Sequence, residues 1–338
     1  MHRFPWKWRL SDLSAPEPGA PTVFSCFACG GGSSMGYKRA GFDVLGCCEI
    51  DPRINAVYRA NLSPRHSFVM DVRDFNELGS YPDELMGLDV LDGSPPCSTF
   101  SMAGDREKAW GRAKRFAEGQ KLQRLDDLFL AFLGTVAALR PKVVVAENVK
   151  GLVMGNAKGY VSEVVSEFRR LGYDVQLFLL DASRMGVPQR RERVFFVANR
   201  MGYPKLRLDF AEEPVPFREC MLEGGGRIAS EATAALLSDV RPGETSLKNA
   251  CERACGKAKR FNESVLWPGL VPSTVAASGA IYKMPAALRV SPREVLNLAS
   301  FPQDYRCPDG KAQFVAGMSV PPSMMANVAA EIRGQWLG

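Results

Sequence analysis

The chain has 338 residues, long enough for one large domain plus a smaller one, in the composition of an ordinary globular protein. Its formal net charge of +6 suits a polyanionic partner. Two histidines all but exclude histidine triads and multi-histidine metal sites, and nine cysteines in so long a chain argue for reduced thiols over a disulfide framework. Residues 1–21 read as an irregular leader without an apolar run of signal-peptide length. A first strand is predicted over Thr22 to Phe27, then a Gly30-Gly31-Gly32 turn and a helix from Ser33 to Ala40. Phe42 to Ile50 is a second strand, Pro52 to Asn61 a helix, and Phe68 to Met70 a short strand closed by Asp71.

Further along, Leu88 to Leu91 reads as a buried strand, Asp126 to Leu139 as a helix and Lys142 to Ala146 as a strand. A helix over Gly159 to Leu171 and strands over Val175 to Leu180 and Val194 to Ala198 complete the alternation. The longest apolar stretch, Leu128 to Leu139, is too short to span a bilayer. Strands alternating with helices predict an α/β fold, a doubly wound and mostly parallel sheet. From Asn199 to about Arg289 the pattern becomes irregular, which predicts a second, smaller domain; Lys257 to Arg260 is a basic cluster within it. Ser291 then caps a helix with Pro292 in its first turn, and a last helix follows Pro321-Pro322.

Three stretches carry chemistry. After the strand ending at Leu91, Pro95 and Pro96 stop both helix and ladder and present Cys97 at the edge where open α/β sheets place their ligands. By itself Cys97 is equally a small buried hydrophobe. The glycine turn lets backbone approach a ligand, and Glu49, about twenty residues on, is placed for ribose hydroxyls. The spacing is not Gly-x-Gly-x-x-Gly, so a nucleoside cofactor without a pyrophosphate fits better than a dinucleotide. Glu147 follows the apolar Val143-Val144-Val145, and strand alternation would put Arg191 and Arg193 on one face. Cys26-x-x-Cys29 and Cys251-x-x-x-Cys255 lack a second pair at zinc spacing, so no metal site is expected.

In this order the pieces resemble the DNA (cytosine-5) methyltransferase family of bacterial and phage modification enzymes. Phe27 to Gly32 looks like its cofactor-binding motif, Pro95-Pro96-Cys97 its nucleophile motif and Glu147-Asn148-Val149 its Glu-Asn-Val motif. Gln189 to Arg193 looks like Gln-x-Arg-x-Arg, Arg289 to Glu294 resembles the ninth motif, and Gly317 to Pro322 the tenth. Met318 stands where the family commonly has asparagine. The resemblance implies a Rossmann-like, S-adenosylmethionine-dependent catalytic domain over 22–199 and 305–338, and a target-recognition domain over 200–304.

It further implies that Phe27, Gly31, Gly32, Glu49 and Ile50 bind S-adenosylmethionine, together with Asp71, Val72, Pro96, Leu128 and Ser319. Cys97 would add to carbon 6 of a cytosine flipped out of double-stranded DNA, activating carbon 5 for methylation. Glu147 would give a proton at ring nitrogen 3, and Arg193, supported by Arg191, would hold the base's carbonyl oxygen. The loop 98–124, with seven basic residues against three acids, would close over the DNA. A cytoplasmic monomer is expected, nucleoid-associated when on DNA and without membrane contact; a cognate restriction endonuclease is compatible with this reading. Two rivals remain open, a transfer RNA cytosine-5 methyltransferase and a catalytically silent DNA-binding relative.

Overall fold

The computed structural model describes residues 2–96, 127–154, 158–224, 226, 228, 230–260, 262–308 and 310–338. Cys97 and the basic loop 98–124 lie outside the described residues. Strand β1 (Thr22–Cys26) leads into α1 (Gly32–Arg39), β2 (Asp43–Cys48), α2 (Pro52–Leu62) and β3 (His66–Phe68). Two short helices follow, α3 (Val72–Asn76) and α4 (Asp83–Met86). The alternation continues with β4 (Val90–Gly93), α5 (Asp127–Leu139), β5 (Val143–Val149), α6 (Lys158–Arg170), β6 (Asp174–Asp181) and β7 (Glu192–Asn199).

The seven strands form one sheet in the order β3-β2-β1-β4-β5-β7-β6. The first five pair in parallel, while β7 runs antiparallel to β5. The chain reverses direction across the sheet between β1 and β4, a topological switch point of the kind that binds ligands. Val143, Val144 and Val145 are fully buried, as a central strand covered on both faces requires. On one face Phe24, Leu91, Phe132 and Phe196 belong to a single apolar cluster. Helix α5 comes so close that a Cβ on Gly93 would lie 2.4 Å from Phe132 Cε2, so only glycine fits there.

Register places the chemistry. Cys26 pairs with both Cys48 and Gly93, and Gly93 pairs with Ala146. One residue beyond each, Phe27, Glu49, Ser94 and Glu147 emerge at the same edge of the sheet. β5 does not stop at Ala146 as its apolar run suggests. It continues through Glu147 and Asn148 to Val149, because the antiparallel β7 supplies a ladder partner there, pairing Glu147 with Phe195 and Val149 with Arg193.

The described chain divides into two compact units. One comprises Leu13–Leu180, Glu192–Asp209 and Met325–Gly338 and holds the seven-stranded sheet with its core. The other comprises Met1–Asp12, Asp181–Arg191 and Phe210–Met324. Where the sequence reads as irregular, this second unit contains α7 (Glu231–Ser238), α8 (Lys248–Cys255) and a small sheet of β8 (Ser264–Leu266), β9 (Ile281–Lys283) and β10 (Leu288–Arg289). Each helix has eight residues, too few for amphipathic periodicity to stand out. They pack Leu237, Leu247 and Ala250 against Val265 and Tyr282.

Helices α9 (Pro292–Leu298), α10 (Ala312–Met318) and α11 (Pro322–Ile332) follow. Ser291 caps α9 as expected, in a full capping box with Glu294. Glu294 is also held by Lys283 Nζ at 2.9 Å, a buried ion pair that ties α9 to β9. The leader is less irregular than its composition suggests. Its Trp8 is buried and donates to the Ser300 carbonyl at 2.9 Å, and Leu10 N donates to Asp304 at 2.7 Å.

Candidate active site

The glycine turn between β1 and α1 is held in a conformation few residues adopt. Gly31 is the helix N-cap with φ 86°, and a Cβ there would lie 2.4 Å from Leu62 Cδ1. Phe27 and Cys29 also have positive φ, at 53° and 45°. Left-handed backbone at non-glycine residues is costly and gathers at ligand sites. Glu49 holds the turn: its Oε2 accepts from Cys29 N at 2.8 Å and its Oε1 from Asp51 N at 3.0 Å. Burial pushes the Glu49 carboxyl above the usual carboxylate range, while the amides of Asp51, Cys29 and Ile50 pull it back.

The other expected cofactor residues of this unit sit at that edge or below it. Asp71 is the N-cap of α3, accepting from Arg73 N at 2.9 Å, and Val72 behind it is buried in the core. Pro96 is half-buried beyond β4, and Leu128 is buried in α5. Carboxylates oriented by backbone amides beside a left-handed glycine turn suit an adenosine moiety, because each carboxylate oxygen keeps a lone pair for a ribose or amino donor.

Glu147 and Arg193 meet. The antiparallel pairing of β5 with β7 sets them on one face, two rungs apart, and Arg193 Nε lies 2.9 Å from Glu147 Oε1. Both side chains are largely buried, at 8% and 13% exposure for Glu147 and Arg193. Burial lowers Arg193 from the ordinary arginine value, and Glu147 opposes that shift. Such a pair can grip the polar edge of a planar base, with a donor and a carboxyl side by side. Beside it, Asn148 Nδ2 donates to the Pro95 carbonyl at 3.1 Å, fixing the proline turn that leads to Cys97.

Asp92 lies inside β4, one residue short of its end and one beyond the strand end expected at Leu91. Its carboxyl is buried and accepts from Ser25 Oγ at 3.1 Å and Ser33 Oγ at 3.4 Å. Burial pushes it up to about 7 against the pull of those hydroxyls, and the charge on Glu147 adds to the rise. Sequence patterning passes over Asp92 because a polar residue after an apolar run normally marks the end of a strand.

Arg191 does not share a strand face with Arg193. β7 begins at Glu192, and the Arg191 guanidinium turns to donate to the carbonyls of Val275 at 3.2 Å, Gly317 at 2.9 Å and Ser319 at 3.0 Å, all within the second unit. This corrects the expected alternation: a buried guanidinium is stable only where acceptors meet its fork, and those three carbonyls do so. Gln189 is buried beside it, donating to the Leu298 carbonyl and accepting from Val275 N. Ser319 Oγ is buried and has no hydrogen-bond partner among the described residues, the condition of a hydroxyl that a ligand completes. Met318 next to it is 43% exposed.

Among the described residues no group of three or more His, Cys, Asp or Glu could hold a metal ion, and no helix is long and apolar enough to cross a membrane. The sulfurs of Cys251 and Cys255 lie 3.6 Å apart as unlinked thiols.

The Type II methyltransferase M1.HphI of Haemophilus parahaemolyticus is 34% identical over 187 residues, covering 54% of this chain and 46% of that protein. M.NgoPII of Neisseria gonorrhoeae is 33% identical over 182 residues, covering 53% and 48%. The chain spans about half the length of the curated relatives it matches. Among solved structures, a prophage-encoded DNA modification methyltransferase from E. coli superposes with a TM-score of 0.68 at 18% identity, over 94% of this chain and all of that one. The S. pombe Dnmt2 methyltransferase gives 0.59 at 14%, over 93% and 99%; at these identities the likeness is one of fold. Residues 22–223 match the family described as C-5 cytosine-specific DNA methylase, and the chain belongs to that family.

Proposed function

We propose that the protein transfers a methyl group from S-adenosylmethionine to carbon 5 of a cytosine flipped out of double-stranded DNA, through a covalent adduct with Cys97. The observation that carries this reading is the buried Glu147–Arg193 pair at 2.9 Å, on the sheet edge that also presents the Pro95-Pro96 turn. Glu49, Asp71 and the Gly31-Gly32 turn would hold S-adenosylmethionine, which would supply the electrophilic methyl group.

Cytosine carbon 5 is a poor nucleophile until a thiolate adds next to it. The Cys97 sulfur forms a bond to carbon 6, and electron density moves through the ring to nitrogen 3, which takes a proton from Glu147. Arg193 donates to the carbonyl oxygen and holds the ring while charge develops there. Carbon 5, now enamine-like, could then accept the methyl group that S-adenosylmethionine would supply. Loss of the carbon 5 proton to a base then expels the Cys97 thiolate. Asn148, by fixing the Pro95 carbonyl, keeps the turn before Cys97 in place.

In the same reading, residues 22–199 and 305–338 carry catalysis, and 200–304 read the target, with Lys257, Lys259 and Arg260 near the phosphates. The protein acts as a monomer in the cytoplasm, on the nucleoid when bound to DNA, and a restriction endonuclease of the same specificity would be its functional counterpart. The test is trapping on duplex DNA carrying 5-fluorocytosine, where proton loss is blocked. Wild type with cofactor is expected to form a denaturation-resistant adduct that Cys97→Ala abolishes. Labelling of transfer RNA alone, or cofactor binding without any adduct, would overturn the proposal.

A further inference from the structure

Asp92 is a carboxyl in the middle of a parallel sheet, where an aliphatic side chain would pack at far lower cost. It is 2% exposed and sits in register with Ser25 of β1 and Val145 of β5. Its partners are not isolated. Ser25 Oγ lies 3.1 Å from Asp92 Oδ2 and 3.2 Å from Ser34 Oγ, and Tyr58 OH of α2 donates to Ser34 Oγ at 2.8 Å. Ser33 Oγ reaches the other carboxyl oxygen at 3.4 Å. Ser33 and Ser34 are the second and third residues of α1, directly after the left-handed Gly31 N-cap, which has no capping side chain. The first turn of the helix that carries the glycine turn is therefore fastened to β4 through this carboxyl.

We propose that Asp92 is a positioning residue: gripped by Ser25 and Ser33, it sets the first turn of α1 against β4 and thereby sets how tightly S-adenosylmethionine is held. This deepens the functional reading above and rests on it. The titratable groups facing Asp92 are Cys26 of β1, Tyr37 of α1, Tyr58 of α2 and Glu147 of β5. Burial pushes Cys26, Tyr37 and Tyr58 upward, so they stay neutral near pH 7 while Asp92 changes charge. Ionised, Asp92 accepts from both serines and adds a negative charge that favours a sulfonium ligand. Protonated, it must give up one lone pair to its own proton and the grip loosens.

The experiment is calorimetric titration of the full chain, without DNA, using S-adenosylmethionine and S-adenosylhomocysteine between about pH 5.5 and 8.5. Wild type is expected to bind S-adenosylmethionine several-fold tighter above the transition than below it, with a weaker dependence for S-adenosylhomocysteine, which lacks the sulfonium charge. Asp92→Asn is expected to flatten the profile. Ser33→Ala is expected to move the transition to higher pH, because it removes a hydrogen bond that favours the carboxylate. It keeps the proposal falsifiable should Asp92→Asn fail to fold. Profiles of wild type, Asp92→Asn and Ser33→Ala that coincide would leave Asp92 purely structural and overturn the proposal alone. Absence of S-adenosylmethionine binding by wild type at every pH would overturn the functional reading along with it.

Discussion

Arg193 Nε sits 2.9 Å from Glu147 Oε1 across two antiparallel strands, although 46 positions separate the residues in the chain. Both side chains are largely buried, so each neutralises the other away from water.

Removing one member alone should therefore harm stability as well as rate. Arg193→Ala is expected to destabilise by about 3–5 kcal/mol, since it leaves a buried carboxylate unpaired. Glu147→Gln keeps the hydrogen bond and the shape but has no proton to give, so its cost should fall on kcat, by about 100-fold or more. Urea unfolding and single-turnover methyl transfer on both variants separate the two effects. Equal stability of Arg193→Ala and wild type would contradict the pairing.

Stability should also depend on pH through Asp92. Its folded value, pushed up to about 7, lies above that of a carboxyl in the unfolded chain. Between about pH 4 and neutrality the folded protein keeps a proton that the unfolded chain has already released, so this group lowers stability as pH rises through that window. Asp92→Asn has no such proton, and its urea midpoint is expected to lose that downward slope. An unchanged slope would show that the carboxyl does not titrate there.

The Glu49 carboxylate braces the left-handed Cys29, and in the proposed reading it also takes the ribose of the cofactor. Glu49→Gln can accept from only one of the two amides through its single oxygen. A loss of cofactor affinity of about tenfold or more is expected, in line with a charge-assisted hydrogen bond of about 1.5–3 kcal/mol. Equilibrium dialysis with labelled cofactor measures it, and an affinity equal to wild type would remove Glu49 from the site.

Gly93→Ala drives a methyl group to within 2.4 Å of the Phe132 ring. Overpacking of this kind costs about 1–3 kcal/mol. Phe132→Leu introduced with it should recover part of the loss, a compensation visible as non-additive melting temperatures.

The parallel core was legible because Val143-Val144-Val145 and its neighbours are apolar without interruption, the mark of strands covered on both faces. The ends of β1 and β2 before Phe27 and Glu49 were legible too, whereas β3 spans His66–Phe68 instead of the expected Phe68 to Met70, and Asp71 caps α3. The Glu147–Arg193 contact was not visible in the same way, because it depends on β7 reversing direction beside β5, and local patterning carries no sign of strand polarity. The fate of Arg191 was hidden for a related reason: its acceptors are backbone carbonyls, 84, 126 and 128 residues away, which no side-chain pattern announces. Helices α7 and α8 escaped because eight residues span barely two turns.

Arg191 also bears on how such proteins can be recombined. It joins the backbone at Val275 to that at Gly317 and Ser319 through carbonyl oxygens only. A graft that exchanges 200–304 with the corresponding segment of a relative keeps the guanidinium and changes what it meets at position 275. Val275 is buried, so the incoming loop must bring both an apolar side chain that fits and a carbonyl to the same point. Transplants whose junctions keep that one oxygen in place should fold, whereas those that displace it should fail.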